Sequence, residues 1–183
     1  MKRDQLEHLI RASAAIASDD EIVIVGSQSV LGQFPDAPAE LLVSDEADGF
    51  PMHHPDRADL IDGSIGELST FHDTFGDCAP GVSPETAVLP PDWQTRLVPV
   101  RTPATRGATG WCLEIHDLLL SKYVAGREKD ATFCRVAVVH RMVRRETLEA
   151  RLAQMELVPA IRAAVTGRIN ADFAFVAATD RGI

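Results

Sequence analysis

The chain has 183 residues, 45% of them apolar and 25% charged, with a formal net charge of −9. That composition supports a buried core and excludes long disorder, and no apolar run approaches the ~18 residues that a bilayer-spanning helix needs. Cys78, Cys112 and Cys134 are widely spaced and form no C-x-x-C pair, which excludes a disulfide framework and fits a reducing, cytoplasmic compartment.

The charge is unevenly spread: residues 1–121 carry −13, residues 122–168 carry +5 and residues 169–183 carry −1. An acidic body disfavours indiscriminate nucleic-acid binding, whose affinity comes mostly from phosphate contacts. The basic stretch suits either a phosphate-bearing ligand or a solvated helical face.

Taken in chain order, Leu6, Leu9, Ile10, Ala14 and Ile16 recur with helical spacing and predict a first helix over residues 3–18. Residues 21–25 read as a short buried strand, broken by Gly26-Ser27. Residues 28–34 predict a short helix stopped by Pro35. Residues 41–48 predict a second strand finishing at Gly49-Phe50-Pro51, with a loop over 49–58 and a third helix over 57–68. The Gly-, Pro- and Thr-rich stretch 69–91 suggests short strands around 77–82 and 86–89, and 97–102 and 111–114 suggest two more. Asp117 is placed to cap a helix starting at Leu118 and running toward Gly126. Helical patterns follow over 128–143, 146–155 and 159–166. The alternation points to an α/β core over residues 1–115 and a helical region over 116–183.

Two short patterns carry chemistry. A Gly-Ser turn after a strand offers backbone N–H groups and a hydroxyl to a phosphate, although a lone Gly-Ser is more often only a turn. In Glu46-Ala47-Asp48 the strand period of two puts Glu46 and Asp48 on one face and Asp45 on the other. Carboxylates so close repel unless they face water or share a cation, and Mg²⁺ takes oxygens from one or two carboxylates plus substrate phosphates.

Helix, strand, Gly26-Ser27, short helix and then acids at i and i+2 together resemble the nucleotidyltransferase fold, in particular its small bacterial members. The later run Asp117-Leu118, Ser121-Lys122, Ala125, Arg127 and Lys129-Asp130 is similar to the D-L-x-x-S-K-x-x-A-x-R-x-K-D stretch of nucleotidyltransferase-like proteins related to abortive-infection toxins. The resemblance implies an α/β (α+β) fold: a small mixed sheet flanked by helices, with a C-terminal helical extension. It implies that Gly26 and Ser27 cradle phosphates, that Glu46 and Asp48 hold Mg²⁺ or Mn²⁺, that Lys122 contacts phosphate and that Asp130 is a late acid. In a continuous helix Lys122, Gly126, Lys129 and Asp130 would share a face, with Gly126 allowing close approach to the sheet; the alternative is a packing helix with surface ion pairs. Glu46 stands where most relatives have Asp, and Asp77 is the candidate for a third acid. The implied activity moves a nucleoside monophosphate from an NTP to a hydroxyl on tRNA or a protein, in a toxin with a cognate antitoxin. The alternative is a catalytically degenerate nucleotide-binding or partner-interaction module.

Other groups read more blandly. His53, His54, His72 and the cysteines lack the spacing of a zinc module. Arg141, Arg144 and Arg145 suit an RNA contact or a solvated helix face. Trp93 and Trp111 suit core packing, with base stacking the alternative for Trp111.

Overall fold

A computed structural model of the chain describes residues 1–179; residues 180–183, the end of the expected helical region, lie outside the described residues. Two compact units are formed, one by Met1–Ala87 with Gln94–Glu114 and the other by Val88–Trp93 with the chain from Ile115 onward.

The first unit contains α1 (Arg3–Ala17), β1 (Glu21–Ile24), α2 (Val30–Gln33), β2 (Gly49–Pro51), α3 (Ala58–Ile65), α4 (Thr70–Phe75), β3 (Val98–Val100) and β4 (Thr109–Cys112). The sheet runs β2-β1-β4-β3. β1 is antiparallel to β2 and parallel to β4, and β3 is antiparallel to β4. Ile22, Val23 and Ile24 are all buried, as expected of a strand covered on both faces. α1 buries Leu6, Leu9, Ile10 and Ala14 along one stripe. It lies close on β4 because position 110 has no side chain: a Cβ there would come within 2.8 Å of Ile10 Cγ1.

The second strand starts where the sequence suggested it would end. Ile22 pairs with Pro51 and Ile24 with Gly49, so residues before Asp48 lie beyond the end of β1. On their other edge, residues 46–49 pair with the 77–81 segment through isolated parallel bridges, Glu46 to Cys78 and Gly49 to Gly81. β2 therefore occupies part of the expected 49–58 loop. The 86–89 strand is replaced by a 3-10 turn at Pro84–Thr86. α4 falls in the stretch where only strands were expected. Ser69 caps it by accepting from His72 N at 3.1 Å, and Gly76 ends it at φ +73°.

The second unit contains α5 (Ile115–Ala125), α6 (Glu128–Val139), α7 (Arg145–Gln154) and α8 (Pro159–Thr179). Ile115, Leu118, Leu119 and Leu120 are buried around α5, the pattern of a helix surrounded by others. Asp117 is not its cap: it lies within the first turn, fully buried, and accepts from Arg151 Nη1 of α7 at 2.8 Å. α8 runs well past the expected 159–166, because Val165, Ile169 and Asp172 continue the buried stripe beyond Gly167.

Candidate functional site

β1 stops at Ile24, and Val25 N still donates to Asp48 O at 2.9 Å. The next residue, Gly26, lies against the Asp48 side chain: a Cβ at 26 would be 2.9 Å from Asp48 Cγ and closer still to Oδ2. Gly26 has φ −77° and ψ −175°, an extended conformation that any residue adopts. The glycine is thus required for space and not for backbone conformation. Ser27 opens a 3-10 turn in which Ser29 N donates to Gly26 O at 3.1 Å.

Along the acidic segment Ala47 is fully buried, while Glu46 and Asp48 are half-buried. This alternation directs the two carboxylates away from Ala47, onto the side where Cys78 neighbours Glu46. The Cys78 thiol is pushed up to about 12, by burial first and then by the nearby charges of Glu46, Asp45, Glu67 and Asp48. Asp45 points the other way and meets His72 Nε2 at 3.3 Å.

Asp77 does not join the pair. As the neighbour of Cys78 it faces the opposite side, where Gln5, His8 and His72 surround it. It is 2% exposed, and its Oδ1 has no hydrogen-bond partner. Burial raises its carboxyl above the ordinary range, against the opposing influence of His8, Gln5 and His72. Among the described residues no group of three His, Cys, Asp or Glu side chains is placed to hold a metal ion.

In the helical unit, Lys122 Nζ donates to Asp130 Oδ1 at 3.1 Å and lies 4.6 Å from the centre of the Phe133 ring. Arg127 Nε donates to the other oxygen of Asp130 at 2.6 Å. Asp130 is fully buried and Lys122 nearly so. Burial would push the Asp130 carboxyl up, but Arg127 and Lys122 outweigh it and hold it below the ordinary range. The helices divide at Gly126, so the continuous helix in which Lys122, Gly126, Lys129 and Asp130 would share a face does not form: α5 ends at Ala125, Gly126 takes φ +64°, and α6 begins at Glu128. Lys122 and Asp130 meet across this break, whereas Lys129 is exposed. Gly126 packs against the Arg168 guanidinium of its own unit.

Three residues of this unit were not singled out by sequence: Phe133, Arg168 and Asp172. Asp172 accepts from the Tyr123 hydroxyl at 2.9 Å and from Arg135 Nε at 3.0 Å. Its position on the Val165–Ile169 stripe was the available signal. The basic stretch is largely occupied internally. Arg135, Arg145 and Arg151 pair with Asp172, Glu149 and Asp117, and Arg162 donates to the carbonyls of Leu152 and Met155. In the first unit, His53 is held by Asp19 at 3.0 Å and Trp111 Nε1 donates to Glu21 at 3.2 Å.

A small mixed sheet whose first strand ends in a Gly-Ser turn packed against an acid, with a helical C-terminal region carrying a buried Lys–Asp pair, defines a nucleotidyltransferase-like protein. The chain belongs to the family described as nucleotidyltransferase of unknown function (DUF6036), which matches residues 4–168. Comparison with curated proteins and with solved structures gives no match.

Proposed function

We propose that this chain is a metal-dependent nucleotidyltransferase that moves a nucleoside monophosphate from an NTP to an acceptor hydroxyl. The observation that carries the reading is the packing of Gly26 against the Asp48 carboxylate, which brings the turn and the acid segment together. In this reading the Gly26 and Ser27 N–H groups and the Ser27 hydroxyl bind phosphate oxygens, while Glu46 and Asp48 would hold the cation. Lys122 neutralises phosphate charge, and Asp130 holds the Lys122 ammonium in place. Mg²⁺ or Mn²⁺, when bound, supplies charge neutralisation on the phosphoryl oxygens. Two half-buried carboxylates suit a cation that completes its shell with phosphate oxygens and water, the usual habit of Mg²⁺. Metal and nucleotide are then expected to bind together.

The resemblance extends the reading to an acceptor hydroxyl on tRNA or a protein, and to a bacterial cytoplasmic toxin held by a cognate antitoxin. Those two extensions rest on analogy, since fold does not fix function. A second reading, a degenerate module that binds nucleotide or a partner without turnover, is favoured by one observation: Asp77 is turned away from Glu46 and Asp48.

Thermal unfolding with ATP, GTP, CTP or UTP, each with Mg²⁺ or Mn²⁺, tests the proposal. A nucleotide at a hundred times its Kd adds about 2.7 kcal/mol of stability. Stabilisation followed by incorporation of labelled nucleoside monophosphate supports the enzyme; stabilisation without turnover supports the degenerate module. No response to any nucleotide ends both nucleotide readings.

A further inference from the structure

The end of α5 and the start of α6 meet at an elbow that α8 grips from two points. Carbonyls in the last turn of a helix have no partner further along it. Gly126 N closes on Lys122 O at 2.9 Å. Tyr123 O is taken by Arg168 Nη1 of α8. The same guanidinium covers Gly126, where a Cβ would lie 2.5 Å from both Nη1 and Nη2 and 2.6 Å from Cζ. One turn further along α8, Asp172 holds the Tyr123 hydroxyl on α5 and Arg135 on α6. Lys122, Gly126, Arg135, Arg168 and Asp172 together line a cavity of about 100 Å³ beside the elbow.

We infer that Arg168 is a positioning residue for the Lys122–Asp130 pair. By capping α5 and covering Gly126, it sets the angle at which α6 departs, and therefore where the Asp130 carboxylate meets the Lys122 ammonium. A cation is favoured at a helix C-terminus, and a flat guanidinium fits over a residue that has no side chain. The sequence itself requires a glycine here twice over: φ of +64° disfavours a side chain, and the guanidinium leaves no room for one. The functional weight of this role rests on the proposed reading of Lys122 as a phosphate contact, so the experiment reads position and nucleotide response separately.

The chain has three lysines, Lys2, Lys122 and Lys129, and Lys2 and Lys129 are exposed. In protein labelled with isotopic lysine, the ε-methylene signal of Lys122 is expected to stand apart because of the Phe133 ring 4.6 Å from its Nζ. Arg168→Gln is expected to move that signal at least half-way toward those of Lys2 and Lys129. Gly126→Ala is expected to do the same, because the new methyl group displaces the guanidinium while leaving Arg168 in the chain. Should Arg168→Gln not fold, Gly126→Ala decides. A Lys122 signal that stays in place in either folded variant overturns the inference. If the signal moves as expected but the parent protein shows no nucleotide response, the positioning role stands and the phosphate reading of Lys122 fails. If the nucleotide response is lost while the signal is unmoved, the positioning role is overturned.

Discussion

Gly26 and Asp48 are in such close contact that position 26 has no room for even a methyl group: a Cβ there would overlap the Asp48 carboxylate. The obstacle is the end of a side chain and not backbone. Gly26→Ala should therefore leave the sheet intact and swing the Asp48 carboxylate aside, at about 1–3 kcal/mol for the overpacking. Nucleotide affinity in the presence of Mg²⁺ is expected to fall at least tenfold, measured by titration calorimetry. Unchanged affinity in a folded Gly26→Ala protein counts against the assigned site.

Asp48→Asn separates the charge from the shape. It keeps the side-chain volume, so unfolding should change little, while metal-dependent nucleotide stabilisation should disappear. A variant that is stabilised as strongly as the parent would show that the cation is held elsewhere.

Mg²⁺ or Mn²⁺ alone is expected to leave the melting temperature almost unchanged, because two carboxylates without a third acid make a weak cage. The same metal with a nucleotide should raise it. A large shift with metal alone, abolished by a chelator, would point to a preformed site that Glu46 and Asp48 do not explain.

Asp77→Asn is expected to stabilise the protein by about 1 kcal/mol at neutral pH, since a buried oxygen without a partner carries a desolvation penalty. The sign follows from its raised folded-state pKa. The penalty of the charged form is present at neutral pH and is relieved as pH falls through the raised value, so the advantage of the variant should fade in acid. Nucleotide response should be unaffected, and a variant that loses it would return Asp77 to the site.

Asp130→Asn is expected to cost about 3 kcal/mol, the low end of the range for breaking a buried ion pair. Asp130 is held below the ordinary carboxylate range. Its contribution is therefore complete above its unfolded value of about 3.9 and is lost as pH falls through the lower folded value. Denaturant midpoints measured from neutral pH into acid should converge for parent and variant; a constant gap would assign the cost to packing.

Sequence patterns located α1, β1 and the Gly26-Ser27 break because each depends on local periodicity and turn chemistry. Register was less legible. The apolar run at Leu41, Leu42 and Val43 looks like a strand, yet Val43 is 85% exposed and pairing with β1 begins only at Gly49. No local signal reports that β1 has already ended. The division between α5 and α6 near Gly126 was legible, but what holds that elbow was not, since Arg168, which covers Gly126, lies far along the chain. Lys122 and Asp130 were legible as members of one spaced run, but their pairing was not, since a helix interruption brings the two together. Asp77 was legible as an acid near the right segment; which way it faces is decided by the Glu46–Cys78 bridge.

The parallel pairing of β1 with β4 has a consequence for how the protein is made. Ile24 pairs with Cys112, so the centre of the sheet joins segments from opposite ends of the first unit. Pairings between residues distant in sequence are slow to form, because chain closure precedes their reward. On a ribosome, β1 and the acidic segment emerge long before β4 can dock. The nascent chain therefore carries an incomplete sheet through most of its synthesis, and co-translational assembly of this unit waits for the residues just before α5.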